Sequence, residues 1–274
     1  MKSAIVTGAS GFVGRHLGAY LQKYNVVVTP YDNRTTSSNK LPKADVFYHL
    51  AWEGASGELR PDPFVQTKNV NMTLEALKTA HELGCNKFVA LGTVYEKLAP
   101  QIRASDRFRS ADFYILAKEY AHTVTSKLAN KLDIEFSWCT VCHPIGKGIK
   151  PEQMMAYTVS SLKSGVSPDF GPADSYFDII AVEDLVSGLY LVGEKGRRSE
   201  YFIGSGEAKF LKEYLLQVPK ILGVDATIKI GAREDDGLRF EKDWFDISPL
   251  IMDTGYFPKI GFDEAVKLCE SQFS

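Results

Sequence analysis

Cysteine is scarce: Cys85, Cys139, Cys142 and Cys269 are four in 274 residues, too few for a disulfide framework and suited to a reducing compartment. The Cys139/Cys142 pair has CxxC spacing, but its setting reads as a buried strand, where residues three apart point to opposite faces. With no second ligand pair, no metal site is expected. Long apolar runs are also missing. None approaches the roughly 18 residues of a membrane helix, and the first strand-like segment, 2–7, starts where a signal peptide's apolar region would lie. The expected location is cytoplasmic, with no membrane partner. An excess of either charge is absent, since 32 basic residues face 34 acidic ones and the net charge is -2. That balance gives no footprint for nucleic acid. Internal repeats and low-complexity segments are absent too. With 45% apolar residues the chain can bury a sizeable core, so disorder is excluded and the expected ligand is small.

What is present is alternation. β-branched apolar runs at 4–7, 26–28, 45–50, 87–93 and 134–141 are separated by amphipathic stretches at 11–24, 62–83 and 111–131, the pattern of a parallel sheet covered by helices. After His143 the pattern loosens into Pro144, Gly146, Gly148 and Pro151. Beyond it, helices are expected at 151–163, 183–193 and 209–222, and strands at 177–182 and 201–203. The charged stretch 233–246 reads as a solvated loop. The expected fold class is α/β, a Rossmann-like doubly wound parallel sheet with a smaller C-terminal substrate-binding lobe. The expected domains are 1–142, with 177–204 returning to it, and a lobe made of 143–176 and 205–274.

Thr7-Gly8-Ala9-Ser10-Gly11-Phe12-Val13-Gly14 lies between the first strand and the first helix. There a dinucleotide's pyrophosphate would meet helix N–H groups and the positive end of the helix dipole. Gly8 permits the tight turn, Gly11 lets the backbone approach phosphate, and Gly14 lets the helix pack close to the sheet. Asp32, at the end of the second strand, can accept hydrogen bonds from adenosine ribose hydroxyls, which favours NAD. Asn33, Arg34 and the hydroxyl-rich Thr35 to Ser38 follow at once and can instead accommodate the 2'-phosphate of NADP. Further along, Tyr114-Ile-Leu-Ala-Lys118 has YxxxK spacing, which puts phenol and ammonium on one helix face. Thr93, at the end of the strand 21 residues earlier, can bring a hydroxyl beside Tyr114. A phenol with a pKa of about 10 in water acts near neutral pH if neighbouring cations favour phenolate.

The turn TGASGFVG resembles that of the extended short-chain dehydrogenase/reductase family, the NAD-dependent epimerases, dehydratases and ketoreductases that act on nucleotide sugars. The resemblance implies that Thr93 binds the substrate oxygen, that Tyr114 is the acid/base and that Lys118 holds the nicotinamide ribose. His49-Leu50-Ala51-Trp52 is similar to the family's HLAA beside the cofactor, and Asn69-Val70 to its NV pair. His143 falls in the segment that replaces the family's R-x-x-N-x-Y-G, of which only Gly146 remains, and is taken as a cofactor contact. His49 itself is read as a packed strand residue. Asn69 is read as either a cofactor-binding residue or a helix-surface amide.

The departures are informative. Between Asp32 and Asp45 there is no room for the usual third βα unit. Phe177-Asp178-Ile179 replaces the family's RDF. Val94 and Tyr95 stand where its dehydratases carry Asp-Glu, which argues against dehydration, and Glu96, the nearest carboxylate, is expected to be solvated. The resemblance implies an NAD(P)-dependent epimerase or 4-ketoreductase acting on a nucleotide-sugar, and a homodimer formed through the two long helices. The alternative is a non-catalytic NAD(P)-binding sensor or regulatory protein of the same fold.

Overall fold

The computed structural model describes residues 1–32, 34 and 40–273. In chain order the elements are β1 (Ser3–Thr7), α1 (Phe12–Lys23), β2 (Val27–Tyr31), β3 (Val46–His49), α2 (Pro63–Glu82), β4 (Lys87–Leu91), α3 (Ala99–Arg103), α4 (Asp112–Leu132) and β5 (Glu135–Thr140). There follow β6 (His143–Ile145), α5 (Met154–Lys163), β7 (Tyr176–Phe177), β8 (Ile179–Ala181), α6 (Val182–Lys195) and β9 (Glu200–Phe202). The chain ends through β10 (Lys209–Phe210), α7 (Leu211–Leu215), α8 (Val218–Leu222), α9 (Ser248–Thr254) and α10 (Phe262–Glu270). Among the described residues no helix is long and apolar enough to cross a membrane.

Six strands form one parallel sheet in the order β2-β1-β3-β4-β5-β9, the Rossmann-like arrangement. β2 is the outer strand, as the short connection to β3 requires, since no further βα unit follows it. Consequently β2 is partly exposed, whereas β3 is buried along its whole length. Burial on both faces explains why the inner strands read as continuous apolar runs rather than alternating ones. On one face the parallel register aligns Phe47, Phe88 and Phe136, whose rings stack at 5.5 and 6.3 Å. Leu77, Ala80, Ala121 and Ala129 of α2 and α4 complete this core. Asp62 caps α2 by accepting from the N–H groups of Phe64 and Val65, with Pro63 at the first helical position, where its missing N–H costs nothing.

The chain divides into two compact units: residues 1–141, 186–203 and 248–256 in the first, the remainder in the second. These bounds differ from the expected ones. The returning segment starts at Val186 rather than at 177, and α9 also belongs to the first unit, where Asp253 accepts from Arg198 Nε at 2.9 Å and from the Tyr201 hydroxyl at 2.7 Å. In the second unit, the strand expected at 177–182 is interrupted at Asp178. That buried carboxylate accepts from the backbone and hydroxyl of Ser205, while its backbone carbonyl accepts from the His143 N–H at 3.2 Å. Burial lifts its pKa to about 6 despite those bonds. The helix expected at 209–222 is two short ones, α7 and α8, with Pro219 in the first turn of the second, where proline starts helices rather than continuing them. All four cysteines are buried and free, and burial pushes the Cys139 thiol up to about 12.

Candidate active site

The turn after β1 is shaped by its glycines. Gly8 has φ +68°, a left-handed conformation that side chains other than glycine's rarely tolerate. At Gly14 the constraint is closer than sequence suggests: a Cβ there would lie 2.1 Å from the Gly8 carbonyl oxygen. It is the turn's own backbone, more than the sheet, that demands the third glycine. No side chain caps α1, whose N-cap is Gly11, so the first-turn N–H groups of Phe12, Val13 and Gly14 are left without a side-chain partner.

Beside this turn is a cleft of about 470 Å³. Gly8, Ser10 and Gly11 line it from the turn, Asp32 and Arg34 from beyond β2, and Leu50, Ala51 and Trp52 from the loop after β3. Asp32 and Arg34, the two expected readers of the adenosine ribose edge, engage each other. The Arg34 backbone N–H and Nε donate to Asp32 Oδ1 at 3.0 and 2.9 Å, and Nη2 donates to Oδ2 at 2.8 Å. These bonds hold the Asp32 carboxyl down at about 2. Asn33 and Thr35 to Ser38 lie outside the described residues.

The strand residue His49 fastens two sides of this region. Its Nδ1 is 2.9 Å from the Thr7 hydroxyl and its Nε2 is 3.1 Å from that of Thr73. Burial, with Lys118 nearby, pushes its pKa down to about 3, so the imidazole is neutral and packed. Asn69 is buried rather than a surface amide. It donates to the Glu53 and Val65 carbonyls and accepts from the Glu53 N–H, which fixes the loop carrying Trp52. His143 falls in the second unit and does not line the cleft.

The catalytic candidates converge in the first unit. The Thr93 hydroxyl lies near enough to the Tyr114 phenol to favour its ionised form, and Trp52 meets Tyr114 edge to face at 6.2 Å. Lys118 sits one helical turn along α4. Its ammonium donates to the Leu91 carbonyl at 2.8 Å and lies 3.8 Å over the Trp52 ring. Trp52 thus joins the cleft to the Tyr–Lys pair, bordering the one and touching the other. Burial lowers the Lys118 pKa to about 8, with Glu96 opposing. Burial raises that of Tyr114, while the Arg60 charge and the Thr93 hydroxyl act to lower it and Glu96 to raise it.

Glu96, expected to be solvated, is buried. Its carboxylate accepts from the Thr93 backbone N–H at 2.8 Å and from Trp138 Nε1 at 3.0 Å, and it contacts His122 Nδ1 at 3.1 Å. A capping box anchored at Thr93 explains this: the short 3-10 helix Val94–Leu98 turns the side chain back under the strand end. The capping spacing Thr93-x-x-Glu96 is visible in the sequence and was the available signal. Arg60 had no comparable signal, since it sits in an irregular loop before α2.

The model of the NAD dependent epimerase/dehydratase family matches residues 4–204. CDP-abequose synthase from Salmonella typhimurium is 24% identical over 255 positions, covering 84% of this chain and 85% of that protein. RMD from Pseudomonas aeruginosa, solved with NADPH, superposes with a TM-score of 0.79 at 21% identity over 100% of this chain and 99% of that one. UDP-glucose 4-epimerase from Thermotoga maritima, solved with UDP-glucose, gives 0.82 at 19% identity over 99% and 98%. At these identities the solved structures establish the shared fold.

Proposed function

The chain belongs to the NAD dependent epimerase/dehydratase family of enzymes, and from that premise we propose that it uses NAD or NADP to oxidise or reduce a sugar carbon of a nucleotide-sugar, as an epimerase or a 4-ketoreductase. The observation that carries this reading is a buried Tyr114–Lys118 pair one helical turn apart on α4, with Thr93 acting on the phenol and Trp52 linking the pair to the glycine-turn cleft.

The cleft fits a dinucleotide. Its turn has no room for a Cβ at Gly8 or Gly14, its helix start is uncapped, and a carboxylate stands at its far side. In our reading the N–H groups of Phe12, Val13 and Gly14 hold the pyrophosphate, while Gly11, whose own N–H donates to the Gly8 carbonyl at 3.0 Å, lets it come close and Ser10 lines its approach. Asp32 or Arg34 reads the adenosine ribose, while Leu50, Ala51 and Trp52 flank the cofactor on the other side. Asn69 acts through the loop that it holds. When bound, the nicotinamide supplies the acceptor or donor of hydride. Thr93 orients the reacting sugar oxygen, and Tyr114 takes its proton during oxidation and returns it during reduction. Lys118 hydrogen-bonds the ribose hydroxyls beside the nicotinamide.

Tyr114→Phe keeps the ring and removes the proton carrier. Turnover should fall by about 10² to 10⁴ with cofactor affinity barely changed. A panel of nucleotide-sugars followed by NMR with each cofactor identifies the substrate. Turnover of that substrate by Tyr114→Phe within a few-fold of the parent would refute the assignment and leave the fold serving another group or a sensor.

A further inference from the structure

Three cationic or potentially cationic side chains lie in this part of the first unit. Lys118 is engaged elsewhere, its ammonium donating to the Leu91 carbonyl and lying against the indole faces of Trp52 and Trp138. His49 is buried and neutral. The third, Arg60, lies over the face of Tyr114 with its guanidinium carbon 4.8 Å from the ring centroid and 5.4 Å from that of Tyr95. Its Nε is buried and has no hydrogen-bond partner among the described residues, where an arginine kept only for structure would be forked onto a carboxylate.

The position is built rather than incidental. Gln66, which is 1% exposed, donates from Nε2 to the carbonyls of Gly54, Leu59 and Arg60 itself. Its Oε1 accepts from Trp52 Nε1 at 2.9 Å. One buried amide therefore fixes both the loop that carries Arg60 and the indole beside Lys118. Burying an amide in this way is sustained only when its polar atoms are satisfied, as they are here.

We propose that Arg60 is an electrostatic positioning residue for the acid/base, its guanidinium stabilising the ionised form of Tyr114 so that the phenol accepts a proton nearer neutral pH. This rests on the reading of Tyr114 as the acid/base. The other charged group acting on the phenol is Glu96, from the 3-10 helix, which opposes ionisation; Lys118, on the same helix as Tyr114, has its ammonium on the Leu91 carbonyl and the Trp52 ring. His122, also on α4, is paired with Glu96 and Glu200. Arg60 thus opposes both burial, which remains the larger effect, and the Glu96 carboxylate, and Thr93 acts in the same sense. A guanidinium suits the task because it stays charged at every relevant pH and is content on an aromatic face.

The test places 3,5-difluorotyrosine at position 114 by site-specific incorporation, so that a single phenol titrates in a convenient range and its fluorines report the midpoint by NMR. The full-length protein is used with NAD present, and no substrate is needed. A unit charge about 5 Å away in a partly screened site moves the midpoint by about one to two pH units, so Arg60→Met and Arg60→Gln should each raise it by that amount. Arg60→Lys should recover most of the shift. Dispersed, folded fluorine signals with a midpoint unmoved in both neutral variants would overturn the proposal. So would an equal shift in the lysine variant, which would assign the effect to loop packing. If Arg60 moves the midpoint but no nucleotide-sugar is turned over, the electrostatic role stands and the proposed function fails. If Tyr114→Phe abolishes turnover while the midpoint ignores Arg60, the reverse holds.

Discussion

Replacing His49 with glutamine should remove a specific acid sensitivity from the folded chain. The imidazole lies at the end of β3, 4% exposed, with both ring nitrogens against threonine hydroxyls. Protonation would leave a charge with no carboxylate to meet it. Its pKa is about 3 in the fold against an ordinary value of 6.5. A depressed value means that the unfolded chain binds the proton first, so this stability is fully present above about 6.5 and is lost as pH falls toward 3. Between pH 7 and pH 5 the loss is about 2 kcal/mol.

Asp178 acts in the opposite sense. Its value is raised to about 6, so it destabilises the fold above that pH, and acidification over the same interval returns about 1 kcal/mol. The wild-type curve alone therefore mixes two opposed contributions. The informative quantity is the difference between parent and His49→Gln, measured by urea unfolding at several pH values. The variant loses hydrogen bonds and should be less stable throughout, but the gap should narrow by about 2 kcal/mol from pH 7 to pH 5. A gap constant to within about 0.5 kcal/mol, near the limit of mutant comparisons, would mean that His49 is charged in the fold and that its burial has been misjudged.

Other perturbations test separate parts of the site. Gly14→Ala puts a methyl against the Gly8 carbonyl and should cost about 3 kcal/mol or more, read by chemical denaturation; a loss under about 1 kcal/mol would show that the turn relaxes freely. Asp32→Ala should weaken NAD more than NADP and release Arg34 toward a 2'-phosphate, and equal loss of both by calorimetry would remove Asp32 from the ribose site. Lys118→Met should harm both cofactor affinity and turnover, in contrast to Tyr114→Phe, and normal cofactor binding would take the ribose role from it. A homodimer through α2 and α4 is expected from the family resemblance, on which the exposed Phe64 and Tyr120 would be covered; a monomeric mass by light scattering would exclude it.

Much of this protein is written in local pattern. Strand–turn–helix order around Gly8, Gly11 and Gly14, the YxxxK spacing and the apolar strand runs all act over a few residues, so the sequence alone determined the parallel sheet, the glycine turn and the Tyr114–Lys118 pair. Even the missing βα unit was legible, because chain length between Asp32 and Asp45 bounds what fits. Tertiary structure decided what depends on burial and on residues distant in sequence. Glu96 looked solvated beside charged neighbours, yet the capping geometry at Thr93 folds it inward against Trp138, 42 positions away. Asn69 became a loop clamp because its helix face meets the chain after β3. The breaks at Asp178 and Pro219 followed from a buried carboxylate and a helix start that no periodicity displays. Arg60 was silent in sequence, since a cation in an irregular loop acquires meaning only when Gln66 fixes that loop and the fold brings the Tyr114 ring beneath it.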